Sequence, residues 1–151
     1  MKLSETDDRE IRHIHDAWIA TEAAGKNTEV TAFLANDIVA LPDGGAPVCG
    51  KAAVRAAFFA SDGSPCEIES VITSLEPAGG AVLKIADFRT TDAGGVEIAG
   101  SHAWLLVRDN KWKIRFMTWT IRRTCTPGSA ARNPCAKDKQ TRPCLRYASI
   151  V

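Results

Sequence analysis

The sequence predicts an α+β domain in which two or three short helices precede a long antiparallel meander that curls around the first of them. Three observations carry this prediction. Apolar residues recur at helical spacing in the first third of the chain. From residue 66 onward, extended runs rich in β-branched and aromatic residues take over. Two strong turn signals, Asp92-Ala-Gly-Gly95 and Asp109-Asn110, join three such runs within residues 79–122. Helices followed by an antiparallel sheet define the α+β class.

In order, Asp7 and Asp8 offer carboxylates that would cap a helix starting near Arg9. Ile11, Ile14, Trp18 and Ile19 form its apolar stripe, His15 lies on the stripe's edge, and Gly25 ends the run. A second helix is expected over about residues 28–35, with Val30, Phe33 and Leu34 inward. Residues 37–42 read as a strand stopped by Pro42 and the turn Asp43-Gly-Gly45. The alanine-rich stretch 50–59 reads as a third helix, broken by Ser61-Asp-Gly-Ser-Pro65. Residues 66–75 alternate as a strand, and Glu76-Pro-Ala-Gly-Gly80 leads into the meander.

The meander's faces follow from its turns. With Arg108 and Lys111 flanking a two-residue turn, Trp104 pairs with Arg115 and His102 with Met117. With Asp92 and Gly95 flanking the other, Asp87 pairs with Gly100 and Ile85 with His102. Directly paired residues share a face. One face then carries Leu83, Ile85, Asp87, Arg89, His102, Trp104, Arg115, Met117 and Trp119, a mixture of aromatics and convergent charges that suits a small-molecule pocket. The other carries Val82, Ala86, Phe88, Ser101, Ala103, Leu105, Val107, Ile114, Phe116 and Thr118, and reads as a packing or dimer surface. A one-residue slip in either turn would move one strand's side chains to the opposite face.

Composition sets the bounds. The 151 residues suffice for one domain with its own core, and 45% hydrophobic with 25% charged residues is ordinary globular usage. Residues 1–122 hold 13 Lys/Arg against 17 Asp/Glu, and residues 123–151 hold 6 against Asp138 alone. An acidic domain with a basic tail offers no nucleic-acid face on the domain. The polar start and the lack of a 20-residue apolar run predict neither export nor a membrane span, hence a cytoplasmic protein. Five cysteines at 49, 66, 125, 135 and 144, with no CxxC pair, predict neither a disulfide framework nor a zinc site. The tail, residues 123–151, is expected to be a basic Cys/Pro-containing appendage, disordered in part or capping a sheet edge; its composition resembles reading frame running past a domain's end, as in mobile gene cassettes.

Five elements run in a telling order across residues 7–122: Glu10-Ile-x6-Trp18-x6-Gly25, Ala35-Asn-Asp-Ile-Val39, Pro47-Val-Cys-Gly-Lys-Ala-Ala-Val-Arg55, Gly100-Ser-His-Ala-Trp-Leu-Leu-Val107 and Lys111-Trp-Lys-Ile-x4-Trp119. On these the chain resembles the nuclear-transport-factor-2-like (NTF2-like) superfamily, in particular its SnoaL-like and ketosteroid-isomerase-like bacterial branch. The resemblance implies a conical α+β barrel with a curved, mixed but mostly antiparallel sheet, commonly a homodimer through that sheet, with one open-ended pocket. The fold hosts isomerases, hydrolases, cyclases and non-catalytic adaptors, so it implies no single reaction.

Within that frame Asp87 is the leading candidate, since a carboxylate among aromatics gains a pKa suited to proton transfer. Similarity to limonene-type epoxide hydrolases would match Asp87 to their first strand aspartate, but the position of their second acid falls near Met117. The isomerases' first-helix tyrosine matches Trp18, and their base falls on Pro42, next to Asp43. His102 would support Asp87 as an acid–base partner, and Arg115 would hold an anionic group or neutralise Asp87. Trp18, Ile85, Arg89, Trp104, Met117 and Trp119 would form the substrate wall. His13 and His15 are placed on the helix surface, with His15 near the pocket mouth. The structural alternative for Asp87 is an ion pair with Arg89 or Arg115. Two functions fit: a cofactor-independent enzyme for epoxide hydrolysis or proton-transfer isomerisation of a lipophilic cyclic metabolite, or a non-catalytic binding or dimerisation module. No metal and no cofactor are implied.

Overall fold

A computed structural model describes residues 2–122 of the chain. The expected tail, 123–151, lies outside the described residues. Helix α1 spans Glu5–Ala23, and a single 3-10 turn follows at Glu29–Phe33. Strands β1 (Leu34–Leu41) and β2 (Val48–Cys49) precede helix α2 (Lys51–Phe58). Strands β3 (Glu67–Ala78), β4 (Ala81–Thr91), β5 (Glu97–Asp109) and β6 (Lys111–Arg122) form the meander.

The architecture is α+β, with two helices against one open, mixed six-stranded sheet of order β2-β1-β6-β5-β4-β3. Only β1 and β6 run parallel; every other neighbour pair is antiparallel. Register irregularities at Ile72/Ser74 in β3 and at Leu105/Leu106 opposite β6 bend the sheet, as β-bulges do. Helix α1 lies in the resulting concavity. Its buried residues Ile11, His15, Trp18 and Glu22 fall at spacings of four, three and four, one continuous stripe of the helix.

Two helix expectations are corrected. The cap of α1 is Ser4, one turn before Asp7-Asp8: Ser4 Oγ accepts from the Asp7 amide at 3.1 Å and donates to the Asp7 carboxylate at 2.7 Å. Asp7 is thereby released to accept from Trp112 Nε1 at 3.1 Å and from Arg108, pinning the helix to the last hairpin. The predicted second helix is only a 3-10 turn, because the chain must extend by Leu34 to enter β1 and its Val30-Thr31 centre favours a short, tight turn.

The decisive differences lie in the hairpins. Asp92 closes onto Val96 rather than Gly95, so the first turn contains three residues, not two. Gly95 takes φ +78, and the Asp92 carboxylate accepts from the amides of Gly94 and Val96 at 2.9 Å each. A glycine in the left-handed region at the third position is the geometry that three-residue hairpins favour. Asp87 therefore pairs with Ser101 and Ala86 with His102, a one-residue slip that turns β4 over. In the last hairpin Asn110, at φ +58, closes the turn between Asp109 and Lys111, and the bulge at Arg115 adds a second shift. Two shifts restore the original parity, so His102 pairs with Trp119 and Trp104 with Met117 on the inner face.

The concavity holds Trp18, Val30, Leu34, Ile38, Val54, Phe58, Phe59, Val82, Trp104, Leu106, Ile114, Met117 and Trp119 as a contiguous buried core. Trp18 packs against Trp104 at 5.0 Å between ring centroids and edge-on to Phe59 at 5.6 Å. Phe58 meets Trp119 edge-on at 5.3 Å. Such aromatic pairs add stabilisation beyond the area they bury.

Candidate functional site

The inner face of β4 reads Val82, Lys84, Ala86, Phe88 and Thr90, all buried. Lys84 is the anomaly: a lysine with 0% exposure in the middle of an apolar series. The β4–β5 register sets it directly opposite Trp104, and α1 lays His15 over the same point. Lys84 Nζ stands 2.8 Å from His15 Nδ1 and 2.8 Å from His102 Nε2. It also sits 3.1 Å from the centroid of the Trp104 ring.

Each member is held by its surroundings. His102 stacks between Trp104, at 5.0 Å and 12°, and Phe88, at 5.9 Å and 18°. Phe88 reaches this position because residue 100 is glycine: a Cβ there would lie 2.8 Å from the Phe88 ring and 1.9 Å from the Thr120 carbonyl oxygen. His15 packs against His102 and Trp104 at 5.8 and 5.9 Å. Glu22, two turns further along α1, is buried as well.

Electrostatics follow from this burial. Burial pushes the Lys84 amine down to about 6, against the pull of the Glu22 carboxylate. Burial first, and then the facing Lys84 charge, push His15 down to about 4, although the Ser70 backbone and Asp16 favour its charged form. Despite that backbone influence, His15 Nε2 has no hydrogen-bond partner of good geometry. His102 lies well below its ordinary value through burial, then through the charges of Lys84 and His15. All three groups are therefore neutral at pH 7. On acidification the first proton goes to Lys84, which then lies within hydrogen-bond reach of two imidazole nitrogens and over one indole face. Both imidazoles resist protonation first because they are buried and then because the same ammonium faces them. The three titrate as one unit.

The sequence matches no protein-family model and no curated protein. Solved structures do match. An NTF-2-like protein of unknown function from Pseudomonas aeruginosa superposes with a TM-score of 0.61 at 24% identity, over 77% of this chain and 98% of that one. The fold is NTF2-like. A domain of unknown function with a cystatin-like fold from Nostoc punctiforme gives a TM-score of 0.67 at 17% identity, covering 81% of each chain. A protein proposed to be a scytalone dehydratase, from Novosphingobium aromaticivorans, gives 0.61 at 13% identity over 89% of this chain and 96% of its own.

The fold distributes the sequence-predicted residues between two environments. His102, Trp18, Trp104, Met117 and Trp119 line the interior, as the meander's alternation implies. Asp87, Ile85 and Arg89 do not: the three-residue turn puts them on the outer face of β4. There Asp87 accepts from Ser101 Oγ at 2.6 Å and pairs with Arg122 at 3.1 Å, both side chains more than half exposed. Its ion-pair partner is thus Arg122, not Arg89 or Arg115. Arg89 faces Glu97 at 3.6 Å, again outside. Arg115 occupies the bulge, is exposed, and pairs with Asp37 of β1 at 2.9 Å.

His15, expected at the surface, is buried within the α1 stripe, and Lys84 was missing from the predicted site altogether. A signal for Lys84 existed in the sequence. It stands at the period-2 position between Val82 and Ala86, on the face read as a packing or dimer surface, where a lysine demands an explanation.

Two surface grooves of about 870 and 880 Å³ lie elsewhere. One runs between the polar side of α1 and the end of β3, past Arg9, Arg12, Leu75 and Pro77. The other crosses α2 near Asn36, Lys51 and Arg55. Neither touches the Lys84 cluster. Among the described residues, no group of three His, Cys, Asp or Glu is placed to hold a metal ion, and no helix is long and apolar enough to cross a membrane.

Proposed function

We propose that this NTF2-like chain is a cofactor-independent acid–base enzyme that moves a proton on a lipophilic, cyclic metabolite, with His15, Lys84 and His102 as its proton-handling groups. One observation carries the reading: Lys84 Nζ bridges two imidazole nitrogens, 2.8 Å from each, in an interior otherwise walled by tryptophans. Lys84, neutral near pH 7 and accepting a proton at about 6, is poised for general acid–base work. The two imidazole nitrogens within hydrogen-bond reach of it can relay its protons. Removing three titratable groups from water is costly, and such clusters concentrate where chemistry uses them. Trp18, Trp104 and Trp119 offer flat apolar surface to a ring-shaped substrate.

Proton-transfer isomerisation is favoured over epoxide hydrolysis, because Asp87, the carboxylate that hydrolysis would have used, stands on the outer face of the sheet. The test is turnover of cyclic enones and lipophilic epoxides in heavy-oxygen water, followed by mass spectrometry, for the wild type, Lys84→Met and His102→Gln. A mass-neutral product formed by the wild type and lost in both folded variants is the expected result. Unchanged turnover in Lys84→Met would overturn the assignment.

A second reading, a small-molecule-binding module without turnover, draws support from the tight interior: Trp18, Trp104, Met117 and Trp119 are each 1% exposed. It expects those same enones to quench tryptophan fluorescence saturably while no product forms.

A further inference from the structure

We propose that Lys84 acts as a covalent nucleophile toward an apolar aldehyde or ketone, forming an imine whose protons are carried by His15 and His102. This deepens the acid–base reading of the same site by naming the substrate class as carbonyl compounds. The geometry supplies each part. Lys84 is fully buried on a strand, and its Nζ is held by contacts to His15, His102 and the Trp104 ring. The ring nitrogens on either side, at 2.8 Å, are close enough to take and return protons directly. The surrounding surface is indole and phenyl, which suits an apolar carbonyl. An amine desolvated in this way stays uncharged near neutrality, the condition for nucleophilic attack.

The step balances without a co-reactant. The Nζ lone pair forms a C–N bond to the carbonyl carbon as the C=O π pair moves to oxygen. One imidazole takes a proton from the attacking nitrogen and returns it to the oxygen, giving a carbinolamine and leaving both rings neutral. An imidazole then takes the remaining N–H proton and passes it to that hydroxyl, which leaves as water as the nitrogen lone pair forms the C=N bond of a neutral imine. Protonated, the imine withdraws electrons from the adjacent carbon, so an imidazole can remove its α proton and return it elsewhere, which is an isomerisation. Hydrolysis then restores the amine.

The experiment is reductive trapping on the wild-type chain at pH 7, with benzaldehyde and cyclohexanone as probes and cyanoborohydride as reductant, followed by peptide mapping. A secondary amine forming on Lys84 at least roughly tenfold faster than on the exposed Lys2, Lys26 and Lys111 is expected, since burial holds the Lys84 amine well below its ordinary value. Labelling of Lys84 at or below their rate, or none at all, would overturn the proposal. The two readings fail separately. A trapped Lys84 adduct without turnover of any enone leaves the imine standing and removes the enzyme. Turnover that Lys84→Met abolishes, with no adduct in the wild type, keeps the acid–base enzyme and removes the imine.

Discussion

Lys84 and His15 are joined across the concavity of the sheet by a 2.8 Å contact between Nζ and Nδ1, which ties helix α1 to the middle of the sheet. The same contact sets the ring's acidity, because the Lys84 charge is the largest influence on His15 after burial. Replacing Lys84 with methionine removes that charge and keeps the length of the side chain. The His15 ring, titrating at about 4 in the wild type, should then titrate at higher pH, yet still below 6.5 because its burial remains. The His102 ring should move in the same direction. Histidine Cε1–H chemical shifts followed by NMR from pH 3 to 8 check this, and an unmoved His15 midpoint would refute the coupling.

Stability should rise with pH, and the sign follows from proton counts. In the unfolded chain Lys84 binds a proton up to its ordinary 10.5, whereas in the folded chain it releases it at about 6. Between those values the unfolded state holds more protons, so each unit of added pH favours folding by about 1.4 kcal/mol. Below about 6 the amine is charged in both states and its contribution is flat. His15 then acts in the same sense from about 4 to 6.5. Urea denaturation should therefore show roughly 2–3 kcal/mol more stability at pH 8.5 than at 6.5. In Lys84→Met that gain should be largely lost. The titratable groups facing the amine, Glu22 and His15 on α1 and His102 on β5, are all retained in the variant, and His15 still titrates below 6.5 there, so between pH 6.5 and 8.5 the difference reports Lys84.

How much of this was legible beforehand depended on turn geometry. The α+β class, the order of elements and the tryptophan-lined interior followed from periodicity and from the two turn signals. The site's composition did not, because face membership in a sheet has period two and inherits every counting error. At Asp92–Val96 the sequence Asp-Ala-Gly-Gly suits a two-residue or a three-residue turn, and the choice rests on Gly95 at φ +78 and on two amides bonded to the Asp92 carboxylate. That one residue exchanged Asp87 for Lys84 in the interior. In the other hairpin two errors cancelled, and His102, Trp104, Met117 and Trp119 stayed inside while the bulge expelled Arg115. His15 was recoverable, since its spacing of four from Ile11 and three from Trp18 lies on the stripe itself.

Asp87→Asn now carries the opposite expectation from that of a buried base. Its Oδ1 is bonded to Ser101 and Arg122 on an exposed sheet face. Exposed pairs contribute about 0.2–1 kcal/mol. The substitution should lower the stability measured in urea by no more than that and leave any turnover unchanged. A loss of several kcal/mol, or of activity, would place Asp87 back in a desolvated setting and contradict the register of β4.

Gly100→Ala tests the register and the site together. Gly100 pairs with Phe88 on one side and Ile121 on the other, facing the interior one alternation before His102. A methyl group there would sit 1.9 Å from the Thr120 carbonyl oxygen and 2.8 Å from the Phe88 ring. Backbone cannot yield to the first contact without opening the β5–β6 ladder, and the ring can yield to the second only by leaving its stack on His102. Overpacking of this kind costs about 1–3 kcal/mol, and a forced backbone shift adds to it. Thermal unfolding should show a lowered midpoint. In the fraction that folds, displacement of Phe88 should expose His102 and let its ring titrate closer to the ordinary value, because burial is the first cause of its depression. A variant as stable as the wild type, with His102 unmoved, would mean that residue 100 does not hold the place the strand pairing gives it.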